Sequence, residues 1–553
     1  MRLADLDVLV IDCQTTGATP ALGDLLEVGW TIARARGEQE DVVARRVALP
    51  EGKRIPRIIS KLTGLDRAAA GEGDQPSSIW SGLREAAARA SSLRGAVPTV
   101  IHFARFELVF LRDLHARFGD GDAFPFDVVC AHDIARRLLP DLPRRGLRAL
   151  AGYFGHGVEL ERRSASHTEA TAYVWRKLVD ELRARDVSDW SELRAWLETK
   201  APPPSRRRAF PLPRERRLAL PDAPGVYRML RSNGDILYVG KATSLKQRVS
   251  NHFTQGKTTE RALEMLTQVH DIRVTPTATV LEAALLETDE IKLHDPPYNV
   301  QLRRDRSAWF VSPDLDEARE IPATARWIGP LPSRWAMTSF AAVRALALGA
   351  EPTPALFGRA VGVPPSFAPD ADTFVAGWAS FVERHVAPMR SRTWWGRFVK
   401  ASKVLLRLLG EGSLEEGEGT PDWSWDPDRV RRHLERSVLQ GGQLARRARW
   451  LAVLADASVV FREADSRPRK LRFEGGDILV AEDHLADSGD PACGPTRNRL
   501  ARMASFDGAR YDRLRVLTTE LKRVLSEGGD VAIVVDCRRA LRTDRLVRAL
   551  TTI

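Results

Sequence analysis

Asn233-Gly234 sits between two β-prone runs, Gly225–Arg231 and Ile236–Gly240. That dipeptide favours a two-residue turn with positive φ at both positions, so the spacing predicts a hairpin. With Ser232 opposite Asp235, Met229 faces Tyr238 and Tyr227 faces Gly240. Side chains alternate along a strand, so Tyr227 and Tyr238 fall on one face as diagonal neighbours. Thr243 or Ser244 then caps a helix running to about Phe253, which carries Lys246 and Arg248 beside a Leu245/Val249 apolar stripe. Further on, Leu281–Lys292 predicts a helix that is apolar except at a few sites including Glu287. It ends before Pro296-Pro297-Tyr298-Asn299. Taken singly, buried tyrosines and helical glutamates usually serve packing and solvation. Two phenols on one face, with nearby cations and a helical carboxylate, are a set that can do chemistry.

The rest of the chain sets this hairpin in a larger frame. A length of 553 residues is too great for one ordinary core and implies roughly three or four domains. The predicted class is multidomain α/β, with segments at 1–185, 186–217, 218–305 and 306–553. In the first, Leu6–Ile11, Leu25–Ala33, Val42–Leu49 and Thr99–His102 read as strands, and Ile79–Leu93 and Phe106–Phe118 as helices. The second holds a helix over Asp189–Lys200 and a Pro/Arg-rich stretch, Ala201–Arg217, that reads as an extended, solvated linker. The last is mainly helical to about Leu454, broken by a Gly/Glu-rich loop at Glu411–Asp428. Strands follow at Ser458–Glu463, Leu471–Val480 and Val531–Val535, with a helix at Arg513–Leu525.

Composition narrows the function classes. Apolar residues make up 43% and charged residues 28%, an ordinary globular mixture. No apolar run approaches the roughly 18 residues of a membrane span. Asp5 and Asp7 interrupt any apolar core of a secretory signal, so a soluble, cytoplasmic protein is expected. The four cysteines, Cys13, Cys130, Cys493 and Cys537, form no C-x-x-C pair and no disulfide framework. Lys and Arg outnumber Asp and Glu by 84 to 73, a net charge of +11 that suits a polyanion such as DNA.

Gly225-Val-Tyr227, then Tyr238-Val-Gly-Lys-Ala242, Arg248, Glu287 in an Ala-Leu-Leu-Glu context and Pro297-Tyr-Asn299 together resemble the GIY-YIG nuclease family, and within it the UvrC-type and Cho-like modules. The likeness extends through Arg303–Ser307 and, more loosely, Gly329-Pro-Leu-Pro-Ser333. The resemblance implies a metal-dependent phosphodiesterase. Glu287 would hold one Mg²⁺ or Mn²⁺, Tyr238 would act on the base side aided by Lys241, and Tyr227 and Arg248 would position water and steady charge. Asn299 would fix the site. A phenol pKa near 10 is high for a base at neutral pH, and neighbouring cations lower it. Gly240-Lys241 is not a nucleotide-binding P-loop, because Ala242 stands where Ser or Thr must hold Mg²⁺.

The first segment carries a second resemblance. Val8-Leu-Val-Ile-Asp-Cys-Gln-Thr-Thr-Gly17, Leu26-Glu-Val-Gly29, Ile59–Gly64, His102–Glu107, Cys130-Ala-His-Asp133 and Gly146–Gly155 resemble DnaQ-type exonucleases, RNase H-like folds of the DEDDh class. The union of the two modules resembles bacterial exonuclease–UvrC-type fusions. Such exonucleases use four carboxylates to hold two metals, with a histidine as base. Here Asp12 keeps the first position, Gln14 stands for the second acid and Glu107 for the third. Arg162 aligns with the histidine and His167 with the last aspartate. The site therefore reads as degenerate, and Glu27 or Glu169 compensates only if the fold differs from the family's.

The C-terminal segment shows neither a second nuclease domain nor helix-hairpin-helix repeats. Trp378, Trp394, Trp395, Trp423, Trp425 and Trp450 read chiefly as core residues, and Arg429–Arg436 and Arg446–Arg449 as basic helical faces. The leading reading is an endonuclease that nicks damaged or distorted DNA in excision repair, with DNA and a damage-recognition or replication protein as partners. The alternatives are a non-catalytic repair scaffold and a 3′–5′ exonuclease acting through the first segment.

Overall fold

Val8, Leu9, Val10 and Ile11 are fully buried and β-branched or apolar, so Asp7–Thr15 forms the central strand of a five-stranded sheet. It pairs antiparallel with Leu25–Arg34, which pairs antiparallel with Val43–Arg46. On its other side it pairs parallel with Val97–Ile101, which pairs parallel with Phe126–Cys130. Helix Ser164–Arg183 crosses this sheet at Gly29. A Cβ there would lie 2.6 Å from Thr168 Oγ1, so only glycine admits the helix. Helix Trp190–Glu198 starts at a capping box in which Asp189 and Glu192 satisfy each other's backbone amides.

The structure, a computed structural model, describes residues 2–541 except 38, 66–70, 91–94, 159–161, 204–207, 255–258, 304–307, 393–396, 398–399, 406–423, 465, 484–498 and 536–538. Arg206, Arg207, Arg304–Ser307, Trp394, Trp395, Trp423, Cys493, Cys537 and most of the Gly/Glu-rich loop lie outside the described residues. Two compact units emerge. One comprises Met1–Ala223, Tyr227–Pro276 and Pro296–Asn299; the other Pro224–Val226, Thr277–Asp295 and Val300–Ile553.

Within the first unit, the Pro/Arg-rich stretch differs from the solvated linker expected. From Ala209 onward it is docked. The Ala209 N–H donates to Asp141 O, and Leu212 is buried among Tyr227, Met229 and Leu237. Arg216 pairs with Asp271, and Arg217 lies 4.3 Å over the Phe253 ring. Arg214–Leu218 forms a short helix where extended chain was expected, and Phe210 and Leu212 between the prolines find a core.

In the second unit, Asp477–Asp483, Arg469–Glu474, Ser458–Arg462, Asp530–Val535 and Arg539–Leu541 lie side by side as an antiparallel sheet. The single strand expected at Leu471–Val480 is a hairpin, because Gly475 and Gly476 both take positive φ and reverse the chain. Helix Pro427–Leu454 starts at an Asp426 cap, inside the stretch expected as loop. Trp378 and Trp425 pack against its helical core and Trp450 against the core of the sheet. No described helix is long and apolar enough to cross a membrane.

Candidate active site

The hairpin turn differs from the expected two-residue form. Arg231 closes the loop, its N–H donating to Asp235 O and its carbonyl accepting from Gly234 N–H. Gly234 has φ of 93°, whereas Asn233 is absent from the positive-φ residues, so three residues form the turn. Asn233 acts through its side chain, which accepts from Asp235 N–H and donates to the Asp235 carboxylate. Closing at Arg231 and Asp235 rather than at Ser232 and Asp235 shifts the expected cross-strand partners by one residue. The rings of Tyr227 and Tyr238 lie on the same side with centroids 6.0 Å apart. Gly240 sits against both, since a Cβ there would come within 2.6 Å of Tyr227 Oη and 2.7 Å of Tyr238 Cε1.

A third ring joins the pair. Helix Leu245–His252 begins at Ser244, whose hydroxyl caps Gln247 N–H, and ends with His252 turned toward the tyrosines. His252 Nε2 lies 2.7 Å from Tyr227 Oη, and its ring centroid is 6.0 Å from that of Tyr238. Burial, then the charge of Arg248 one turn earlier, lowers its pKa to about 4. The imidazole is thus neutral near pH 7 and pairs with the phenol as donor or acceptor according to its tautomer. The sequence reading overlooked His252. Its signal was the i, i+4 spacing from Arg248, which sets both side chains on one helical face.

Asn299 is buried and brackets a strand. Its Oδ1 accepts from Val239 N–H at 3.0 Å and its Nδ2 donates to Val239 O at 2.9 Å. Just before it, Tyr298 N–H donates to Leu237 O. Together they fix the backbone on either side of Tyr238. Lys241 lies at the end of the same strand and Arg248 is exposed on the helix.

Glu287 belongs to the second unit, half-buried on helix Val280–His294. That helix is anchored at several levels. Glu463 accepts from the Val280 and Leu281 amides, Arg469 pairs with Glu282 at 2.7 Å, Arg513 with Asp289 at 2.8 Å and Lys292 with Asp512 at 3.0 Å. Leu281 and Leu285 add apolar burial on the same face. At about 100° per residue, Glu287 projects from the opposite side. A single carboxylate suits Mg²⁺, which keeps several of its waters.

The N-terminal cleft, of about 420 Å³, brings Asp12, Gln14, Glu107, Arg162 and His167 together. Asp12 already has neighbours. Gln14 Nε2 donates to its Oδ2 at 2.7 Å, and His167 Nδ1 lies 3.3 Å from its Oδ1. Burial, then the charge of Asp12, pushes the Glu107 carboxyl well above its ordinary value, against a bond from Cys13 N–H. Glu27 does not fill the gap. Although burial opposes ionisation, Arg163 and the Ser164 N–H outweigh it and hold Glu27 below the usual carboxylate range. Glu169 is exposed. Among the described residues, no group of three or more His, Cys, Asp or Glu side chains is arranged to hold a metal ion. The donor set does not fit two dications.

Residues 223–300 match the UvrC-like GIY-YIG domain model. The chain contains a UvrC-like GIY-YIG domain. UvrABC system protein C of Alkalilimnicola ehrlichii is 46% identical over 125 residues, 21% of this chain and 20% of that protein. A putative bifunctional exonuclease/endonuclease of Mycobacterium tuberculosis is 29% identical over 366 residues, covering 63% of this chain and 54% of that protein. The chain thus spans about half the length of the second relative and a fifth of the first. Its likeness to the second reaches well beyond the GIY-YIG domain, in keeping with a union of two nuclease-type modules. The magnesium-bound N-terminal endonuclease domain of Thermotoga maritima UvrC matches at 30% identity, covering 16% of this chain and 94% of that one, with a TM-score of 0.15.

Proposed function

We propose that this protein is a metal-dependent endonuclease that nicks damaged or distorted duplex DNA, making incisions of the excision-repair kind. The observation that carries this reading is the Tyr227–Tyr238–His252 cluster within a UvrC-like GIY-YIG domain. Hydrolysis of a phosphodiester needs an oriented water, neutralised phosphate charge and a stabilised leaving oxygen. Tyr227, held by neutral His252, would orient the water. Tyr238, beside Lys241, would act on the base side, and Arg248 would neutralise phosphate charge. Glu287 would hold Mg²⁺ or Mn²⁺, which supplies Lewis-acid charge when bound. The net charge of +11 favours approach of the polyanion.

The relative named as a bifunctional enzyme invites an exonuclease reading of the N-terminal cleft. The donors aimed at Asp12 argue against it, so that cleft is assigned no hydrolysis here. The test is metal-dependent cleavage of plain, lesion-bearing and branched duplexes, with products mapped at nucleotide resolution. Internal nicks that favour distorted substrates support the proposal, whereas binding without cleavage across a Mg²⁺ and Mn²⁺ series favours a scaffold.

A further inference from the structure

We propose that Arg148 of the N-terminal domain is a positioning residue for the nuclease site, acting through Glu264, Tyr298 and Asn299. The inference rests on the nuclease reading above and adds a role for the degenerate domain.

Helix Leu147–Tyr153 lies against helix Glu260–Leu266 within one compact unit. Arg148 and Gly152 are four residues apart on one helix and share a face, and they meet Glu264 on the facing helix and Gln268 in the turn just past its end. A Cβ at Gly152 would collide with the Gln268 side chain, so glycine allows the close approach. Arg144 pairs with Glu260, and the Tyr153 and His270 rings meet at 5.4 Å.

From this contact a chain of polar bonds runs to the strand of Tyr238. Arg148 Nη1 lies 3.2 Å from Glu264 Oε1. The same oxygen accepts from Tyr298 Oη at 2.7 Å, and Gln268 Nε2 donates to that phenol at 2.6 Å. Arg231, at the hairpin tip, holds Gln268 Oε1 at 3.1 Å. Gln268 and Tyr298 are buried, where an unmade hydrogen bond is costly and geometry is tightly held. Burial, then the Glu264 charge, pushes the Tyr298 phenol well above its ordinary pKa, so it remains a donor. With Tyr298 pinned at its ring and backbone, Asn299 is set to bracket Val239, next to Tyr238. Arg148 and Glu264 also line the N-terminal cleft, so the chain starts where a ligand of that cleft would sit.

Full-length Arg148→Ala, Tyr298→Phe and Glu264→Gln proteins test this by two readouts. Hydrogen exchange at the Val239 amide should speed up about tenfold in Tyr298→Phe, with distant sheet amides unchanged. The nicking kcat of Arg148→Ala should fall about tenfold to a hundredfold, with KM for duplex within about twofold. Arg148→Ala combined with Glu264→Gln should lose less than the product of the two single losses. Unchanged exchange at Val239, an unchanged kcat or a change confined to KM would overturn the inference. If the unsubstituted protein never nicks while Val239 exchange responds as stated, the nuclease reading fails and the structural coupling survives as packing alone.

Discussion

Tyr227 Oη and His252 Nε2 lie 2.7 Å apart, and Arg248 sits one helical turn before that histidine. A buried imidazole beside a fixed cation resists protonation, which gives the pair a definite response to pH. The folded-state pKa of His252 is about 4, against 6.5 in an unperturbed histidine. Between those values the unfolded chain binds more protons at this site than the folded one. Its contribution to stability is therefore complete above about pH 6.5 and is lost as pH falls toward 4. Denaturant titrations from pH 7 to 4.5 should show the protein weakening, and His252→Gln should weaken less over that range. Nicking should show no inflection near pH 6.5; one there would mean that His252 titrates normally.

Tyr227→Phe and Tyr238→Phe each remove one oxygen and leave the packing nearly unchanged. Each should lower the nicking rate by about 10²- to 10⁴-fold, the range for a positioned acid–base group. Single-turnover kinetics with excess enzyme would separate this from weakened binding. A loss below threefold in either protein would remove that phenol from the chemistry.

Gly240 is the floor on which the two rings rest. A methyl group there overlaps Tyr227 Oη and Tyr238 Cε1, so one ring must move. Gly240→Ala should cost about 1–3 kcal/mol in stability and most of the nicking activity. Thermal unfolding alongside nicking assays checks both.

The N-terminal cleft makes a separate claim. Asp12→Ala should leave digestion of DNA ends unaltered. A triple variant, Gln14→Glu, Arg162→His and His167→Asp, restores the acids and base that the DEDDh resemblance calls for. It should bind Mn²⁺ at this cleft, detectable by electron paramagnetic resonance, where the unsubstituted cleft does not. Loss of end digestion in Asp12→Ala would reverse the assignment.

Much of this was legible in the residues because the signals were local. Alternation put both tyrosines on one face, and their rings do lie together, 6.0 Å apart, although the turn closes one residue earlier on the first strand than expected. The apolar run Leu6–Ile11 read as a strand, and its central place in the sheet emerged only with its neighbours. Other features depend on tertiary partners. His252 is an ordinary helical residue until the strand pair lies beneath it. The docking of Phe210 and Leu212 is hidden by the prolines and arginines around them. The Gly475-Gly476 reversal sat within one apolar-looking run. The partner that engages Glu27, Arg163, is 136 residues away in the chain.

Metal-dependent nicking that needs the Glu287 carboxylate is the outcome on which the proposed function rests. The most direct measurement is nicking of a labelled, lesion-bearing duplex by the unsubstituted protein and by Glu287→Gln, across Mg²⁺ and Mn²⁺ concentrations, with duplex affinity measured in parallel. The account predicts internal nicks by the former that require metal, and a loss of at least about 10³-fold in the latter, with affinity within about twofold. Undiminished nicking by Glu287→Gln would contradict it.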